Sequence, residues 1–177
     1  FYLSLSSTLD ISFPWKPVWR SKVPPRVAFF SCTASLGKIL TTENLWYKGV
    51  AVVDWCFMCK KSGESVNHCP IAYELWSMVW ALFGLQWVMP HGVSNLFSSW
   101  QGSFGGHRSI DLWRAVPHCV LWCIWRERNS RCFEGKERSI SEFKSLLLHT
   151  LLEWSSSFNL FPCSNFLEML DLCNLCV

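Results

Sequence analysis

Two cysteines separated by two residues are the part of this chain that most directly suggests chemistry. They are Cys56 and Cys59, and a histidine and a third thiol follow at His68 and Cys69. A C-x2-C pair lets two sulfurs converge on one ion from a tight turn, and Zn²⁺ takes four soft or borderline ligands arranged as a tetrahedron. The four residues would supply a Cys3His set, and the sequence therefore predicts a zinc site.

The second half of this ligand set has unusual spacing. His68 and Cys69 are adjacent, whereas structural zinc sites usually place roughly two to five residues between paired ligands. Neighbouring side chains in a strand point to opposite faces, so these two could reach one ion only from a turn or from the start of a helix, which Pro70 favours. The alternative is a C-x2-C pair without metal, with His68 and Cys69 as ordinary residues at a helix start.

Composition favours a folded protein in a reducing compartment. Only 16% of the 177 residues are charged and half are hydrophobic, and this low charge, against about a quarter in typical domains, argues against disorder. Ten cysteines would suit a secreted disulfide scaffold, but the N-terminus lacks the basic and long apolar regions of a signal peptide. No apolar run reaches the roughly eighteen residues that span a bilayer. We therefore expect an intracellular protein, nuclear or cytoplasmic and not secreted, without a membrane partner.

Local start and stop signals divide most of the chain into helices. Four prolines between residues 12 and 25 predict an extended, irregular lead-in. Gly37 and Gly49 are stop signals for two short helices, and the run from Ser139 to Glu142 is a capping box that starts a long one. The predicted helices cover residues 27–36, 43–47, 70–83, 110–125 and 140–154, with Thr41 or Thr42 as the cap of the second. The last two, joined by a short polar turn, should pack as a hairpin.

These elements predict a mainly α fold. A β-like run over residues 50–53 leads into the C-x2-C turn, so we expect short helices around a small zinc-knuckle β-hairpin, followed by a C-terminal helical hairpin. The predicted segments are a lead-in (1–12), a zinc-binding domain (13–85), an irregular linker (86–108), the helical hairpin (109–158) and a cysteine-containing tail (159–177).

Two groups of cations are candidates for contact with nucleic acid. No acidic residue lies between Ile11 and Thr42, and tryptophans are interspersed with the cations there, a composition that could bind phosphate and stack on bases. A second group stands at the end of the apolar segment, where we expect it to be solvent-exposed near the hairpin turn. A solvated basic face is the alternative for both groups. The candidates are Lys16, Arg20, Lys22, Arg26, Arg126, Arg128 and Arg131.

Several blocks of the chain, in one order, resemble the reverse-transcriptase zinc-binding domain of plant non-LTR retrotransposons. The blocks are WKPVW (15–19), KVPPRVAFF (22–30), GKILTTENL (37–45), the C-x2-C pair, GESVNH (63–68) and, in the segment that follows, WCIWRERNSRCF (122–133). The resemblance implies zinc bound by Cys56, Cys59, His68 and Cys69, contact with RNA or DNA, and a polymerase part elsewhere in a parent polyprotein. The family usually has a short spacer between the ligand histidine and the last cysteine, and this chain lacks it.

Nothing in the chain indicates an enzyme. Its four aspartates are isolated, so no paired-carboxylate motif is present to hold two Mg²⁺ ions. Cysteine and histidine occur together at His118 and Cys119, but in an apolar segment where both are expected in the core. We therefore expect a non-enzymatic zinc-binding module that contacts nucleic acid. The alternative is a metal-free structural or protein-interaction fragment of a decayed retrotransposon polyprotein.

Overall fold

The computed structural model describes residues 15–50, 55–60, 63–65, 70–83, 92–100 and 110–160, together with residues 13, 67, 90, 165 and 168. Within these residues the chain is mainly helical, which confirms the predicted class, and contains no strand. The expected zinc-knuckle β-hairpin is therefore not observed in the described part, and residues 51–53 of its first strand lie outside that part. No described helix is both long and apolar enough to cross a membrane.

Seven α-helices make up most of the described chain, and a π-helical turn over Ser130–Glu134 follows the sixth. The α-helices are α1 (Trp15–Arg20), α2 (Pro25–Ser35), α3 (Thr42–Tyr47), α4 (Pro70–Leu82), α5 (Val93–Trp100), α6 (Ile110–Asn129) and α7 (Ile140–Phe158).

Helix α1 corrects the expectation that the chain is irregular up to Pro25. Pro17 lies in the first turn of α1, where backbone N–H groups have no acceptor within the helix, so proline removes no helical hydrogen bond. The Ser21 hydroxyl donates to the Pro17 carbonyl at 2.8 Å just after the helix ends. The prolines do prevent one continuous helix, because α2 starts only at Pro25.

The stop signals predicted after α2 and α3 are confirmed. Gly37 and Gly49 have φ values of +66° and +77°, in the left-handed region where a side chain is strained. The Thr41 hydroxyl accepts the Asn44 N–H at 3.3 Å and caps α3. The Asn44 amide in turn donates to the Gly37 and Ile39 carbonyls at 2.6 and 2.7 Å. The loop between α2 and α3 is thereby tied to the helix that follows it.

Helix α5 lies within the segment that the sequence predicts to be an irregular linker. Its core-facing residues Leu96, Phe97 and Trp100 are buried. The carbonyl oxygen of the Asn67 side chain accepts the Val93 N–H at 3.3 Å and so satisfies a free donor at the start of the helix. The sequence does not predict this short helix for two reasons. The surrounding segment is rich in Gly and Ser, and the cap comes from a residue distant in sequence.

Helix α6 is central to the fold and packs against α2, α4, α5 and α7. One hydrophobic core includes Val27 of α2, Trp76 of α4, Trp113 of α6 and Leu147 of α7. The expected packing of the two C-terminal helices against each other is confirmed. Helices on both sides of the expected linker thus share one core.

The capping box at the start of α7 gives a first testable effect. Ser139 Oγ accepts the Glu142 N–H at 3.3 Å, and Glu142 Oε2 accepts the Ser139 N–H at 2.8 Å. We expect Ser139→Ala to lower the free energy of unfolding by about 1 kcal/mol, because it leaves a helix N-terminal donor unsatisfied. Urea denaturation measures the loss. Ser141→Ala, at an exposed position two residues further along the chain, is the matched control, and equal losses in the two variants would refute the cap's contribution.

Candidate metal centre

The turn over residues 56–59 brings its two thiols together. The Lys60 N–H donates to the Cys56 carbonyl at 2.8 Å, and Lys60 has a left-handed φ of +58°, which redirects the chain after the second cysteine. The Cys56 thiol lies within hydrogen-bonding reach of the Cys59 thiol and accepts from the backbone N–H groups of Met58 and Cys59. Backbone donors aimed at a sulfur favour the thiolate, the form that binds a metal. The turn therefore has the arrangement of one half of a zinc site.

The surroundings of these thiols fit a thiolate-binding cation. Cys56 is fully buried and Cys59 is half-buried. Burial raises the pKa of the Cys56 thiol, the two backbone N–H groups oppose the rise, and the Cys59 thiol adds to it. Two adjacent thiolates would repel each other here, and a bound dication would offset that repulsion because it carries the opposite charge.

The other two predicted ligands, His68 and Cys69, lie outside the described residues. Their neighbour Asn67 is described, and its side chain caps α5. Among the residues that the structure describes, no group of three or more His, Cys, Asp or Glu side chains is arranged to hold a metal ion. The complete Cys3His set therefore stays a prediction.

Side chains of the turn between α6 and α7 contact the turn over residues 56–59, called the cysteine turn below. Arg131 Nη1 donates to the Met58 carbonyl at 3.1 Å, and the Arg131 side chain is 7% exposed. Lys60 forms an ion pair with Glu137, whose other carboxylate oxygen accepts Arg131 Nη1 at 2.9 Å. The C-terminal helices thus contribute directly to the position of the two cysteines.

A buried ion pair joins the segment before His68 to the end of α6. Arg128 Nε and Nη2 donate to Glu64 Oε1 and Oε2 at 2.8 and 2.7 Å, and the two side chains are only 6% and 5% exposed. Glu64 Oε2 also accepts the Thr42 N–H at 3.0 Å. Burial lowers the pKa of Arg128, but its bonds to Glu64 raise it more, and the net shift is upward. The Arg128 guanidinium also lies 5.4 Å from the centre of the Phe57 ring, within the cysteine turn.

A second buried carboxylate fixes the turn between α6 and α7. Glu127 is fully buried and accepts Arg131 Nε at 2.8 Å, the Arg138 backbone N–H at 3.0 Å and Arg138 Nη1 at 2.7 Å. Burial raises the pKa of Glu127, but these donors lower it more, and the net shift is downward. Glu127 therefore stays ionised and orients the arginine that reaches Met58.

The prediction that the cations at the end of α6 are all solvent-exposed is wrong for two of them. Arg126 is exposed, whereas the side chains of Arg128 and Arg131 are only 6% and 7% exposed and form ion pairs. Their burial is possible because Glu64 and Glu127 compensate the charges. The donors of Arg128 and Arg131 are engaged within the protein, so contact of these arginines with nucleic acid stays a prediction.

The four N-terminal candidate cations lie on the surface. Lys16, Arg20, Lys22 and Arg26 are all exposed, and Lys22 forms an ion pair with Asp111 of α6 at 2.7 Å. Exposed aromatic rings share these helices, and they are Trp15, Trp19 and Phe29. The combination of cations and aromatic rings is the one expected of a nucleic-acid surface, and that role stays a prediction.

His118 and its neighbouring thiols are core residues, as expected from the sequence. His118 Nδ1 and Ser31 Oγ are 2.8 Å apart, and both residues are fully buried. Cys119 and Cys123 are also fully buried, and they face the Leu147 carbonyl and the Thr150 hydroxyl of α7. Nucleophilic side chains enclosed in this way do not face solvent from which a substrate would come.

The sequence predictions do not include Glu64 of this region or Arg114 on the surface of α6. Glu64 is the one acidic residue between Cys59 and His68, and an isolated carboxylate in a structured turn is a signal to look for a cation elsewhere in the chain. Arg114 interrupts the apolar sequence of α6 and is exposed on its surface. The signal at Glu64 does not give its partner, Arg128, because that pair depends on how distant segments fold together, whereas Arg114 pairs with Asp111 three residues earlier in α6.

Comparison with known proteins finds a family similarity in the N-terminal part of the chain. Residues 1–80 match a family model described as zinc-binding in reverse transcriptase. The matched range includes all four predicted ligands and ends within α4, so α5, α6 and α7 lie beyond it. The match supports a reverse-transcriptase zinc-binding domain, and with it a retroelement origin. No curated protein and no solved structure matches the chain.

Proposed function

We propose that the chain is a non-enzymatic zinc-binding module from the reverse transcriptase of a plant non-LTR retrotransposon. It would act in the nucleus or cytoplasm, contact RNA or DNA, and work beside the polymerase part of its parent polyprotein. The single observation that carries this proposal is the cysteine turn, whose two thiols lie together within the segment that matches the zinc-binding family.

The proposed metal ligands are Cys56, Cys59, His68 and Cys69. Bound zinc would supply a structural cross-link between the cysteine turn and the start of α4, because one ion joins ligands from both. The chain's own residues prepare that link: Arg131 holds the Met58 carbonyl, and Glu64 holds the segment before His68 against α6. The distance in sequence from Cys59 to His68 is that of the family, so we expect His68 to be the stronger of the two remaining ligands.

Zinc titration against a competing chelator tests this function. We expect the reduced wild-type chain to bind about one zinc ion and Cys56→Ser to lose stoichiometric binding, because only thiolates at this turn can anchor the ion. We expect Cys69→Ser to weaken binding less than Cys56→Ser does. Cys132→Ser, which removes a half-buried thiol outside the proposed set, is the control and should bind like wild type.

The results of the titration distinguish between a complete zinc site, a site without Cys69 and a chain that binds no zinc. Full loss of zinc in Cys69→Ser would show that the adjacent His68 and Cys69 both reach the ion and that the spacing argument is wrong. A wild-type chain that binds no zinc while remaining helical by circular dichroism would contradict the metal-binding function.

Burial of three thiols that could otherwise act as nucleophiles supports the non-enzymatic part of the proposal. Cys32, Cys119 and Cys123 are buried, and burial raises the pKa of the Cys32 and Cys119 thiols. Hydrogen bonds with Cys119 and Thr150 lower the pKa of the Cys123 thiol, but that thiol is enclosed in the core. A neutral buried thiol is a poor nucleophile.

A second candidate is a metal-free interaction fragment of a decayed polyprotein. Exposed aromatic rings favour it, since Trp46, Tyr47 and Phe133 are 68%, 72% and 76% exposed and apolar surface of this kind often contacts another protein. Absence of zinc binding by the folded wild-type chain would favour this candidate over the first.

A further inference from the structure

A cationic cleft lies between α1, α5 and α6, away from the cysteine turn. Its volume is about 230 Å³, which is below the roughly 300–1,000 Å³ of pockets that enclose a whole small molecule. Lys16 and Arg20 of α1 and Arg114 of α6 line it. A cleft of this size suits one unit of an extended polymer better than an enclosed metabolite.

The charge of the cleft is of one sign. None of its lining residues is acidic. Lys16 and Arg20 are exposed and form no ion pair with a residue that the structure describes. The nearest relevant carboxylate, Asp111, is shared between Lys22 at 2.7 Å and Arg114 at 3.7 Å. Three cations therefore converge on a concave surface with only partial compensation, and a ligand that fits them must be anionic.

The base of the cleft is apolar and fixed. Trp100 and Trp113 line it and stack at 4.0 Å between ring centres with an interplanar angle of 14°. Each indole N–H donates to the backbone carbonyl of the other residue, at 2.8 and 3.3 Å. The two residues are only 3% and 1% exposed, so they close the floor of the cleft as part of the hydrophobic core and leave no unsatisfied indole donor there. The exposed cations therefore determine what the cleft binds, and an anionic ligand that lies over this closed floor fits them.

We propose that this cleft binds the sugar–phosphate backbone of a single-stranded nucleic acid, with Lys16, Arg20 and Arg114 contacting phosphates. The inference rests on the proposed nucleic-acid contact and assigns it to a specific surface. Compared with the candidates from the sequence, it adds Arg114, which lies on a helix beyond the family match. It excludes Arg128 and Arg131 as phosphate contacts because their guanidinium groups are buried. A single strand is favoured over a duplex because its phosphates and sugars can enter a concave cleft one unit at a time.

Fluorescence anisotropy with a labelled single-stranded oligonucleotide tests the proposal on the full, zinc-supplemented chain. The test variant is Lys16→Gln/Arg20→Gln/Arg114→Gln, and binding is measured over a series of salt concentrations. Each phosphate contact contributes about 0.7 to the slope of log affinity against log salt for single strands, so the slope should become shallower by about 2. Lys48→Gln removes an exposed cation that does not line the cleft, and it should leave the slope unchanged. Arg114→Lys in the wild-type background should retain the wild-type slope.

The outcomes distinguish the cleft from the general function. If the wild-type chain and the triple variant bind the oligonucleotide with the same salt-dependent slope, the cleft is not the binding site, although the protein does contact nucleic acid. A wild-type chain that binds no oligonucleotide would overturn nucleic-acid contact and the cleft with it. Tighter binding of a duplex, with the same loss in the triple variant, would overturn the single-strand assignment. Circular dichroism confirms that the variants are folded, and exposed cations of this kind contribute little to stability.

Discussion

Replacing Arg128 with methionine is expected to lower the free energy of unfolding by about 3–5 kcal/mol, the usual cost of leaving one member of a buried ion pair uncompensated. The pair is bidentate, and its two side chains are 6% and 5% exposed. Methionine fills much of the same space but donates no hydrogen bond to Glu64, so the carboxylate would remain buried with the Thr42 N–H as its remaining donor. The expected loss is a large share of the roughly 5–15 kcal/mol that holds a domain together.

A double variant separates lost charge compensation from lost packing. In Glu64→Gln/Arg128→Met both charges are absent, and the glutamine oxygen still accepts the Thr42 N–H. We expect this chain to be more stable than Arg128→Met alone, because replacing both members of a buried pair is often close to neutral. A simple loss of packing around Arg128 would make the double variant no better than the single one.

Urea denaturation in reducing buffer measures both effects. Arg126→Met, which changes an exposed arginine on the same helix, is the matched control and should shift stability by no more than about 0.5 kcal/mol. A loss of about 1 kcal/mol or less in Arg128→Met would contradict the buried-pair assignment. If the single variant is isolated unfolded while the double variant folds, the same assignment is supported.

The helices that the sequence predicts correctly are those with signals inside the element itself. Gly37 and Gly49 end α2 and α3 because a left-handed residue is required at the stop, and the capping box at Ser139 starts α7. The C-x2-C turn is predicted for the same reason, since its geometry depends on a few consecutive residues. Helix α5 was missed because its cap is Asn67, which precedes Val93 by 26 positions.

The charged residues show why the rest of the site could not be predicted. Cations at the end of an apolar helix are normally solvated, and that expectation holds for Arg126. Arg128 is buried because Glu64, 64 positions earlier in the chain, lies opposite it. No periodicity or composition signal connects these two residues. The position of Arg131 over Met58, 73 positions away, has the same origin, so only the folded chain reveals that the C-terminal helices support the cysteine turn.

His118 should make the stability of the protein fall as the solution is acidified. The side chain is fully buried beside Phe97 and Ser31, and burial lowers its pKa to about 4, against the opposing effect of the Pro17 carbonyl. The unfolded chain, with an ordinary histidine pKa of about 6.5, takes up the proton first as the pH falls. The stabilising contribution of neutral His118 is therefore complete above about pH 6.5 and is lost progressively as the pH falls toward 4.

Between about pH 7.5 and pH 5 this linkage predicts a loss of about 2 kcal/mol in the free energy of unfolding of the reduced, metal-free wild-type chain. Zinc is left out because proton competition for its ligands would add a separate pH dependence. His118→Asn keeps a polar group near the position of Nδ1 but does not titrate in this range, so its stability should be nearly flat between the same limits, whatever its absolute value. His149→Asn, at an exposed position on α7, should keep the wild-type pH dependence. Restricting urea denaturation to this range keeps carboxylate titration small, because carboxylates of the unfolded chain titrate at about pH 4, below its lower limit. The lowered pKa values of Glu127, Glu137 and Glu142 therefore affect stability mainly below about pH 5. A wild-type curve as flat as that of His118→Asn would mean that the buried imidazole accepts its proton without cost, and that His118 does not control acid stability.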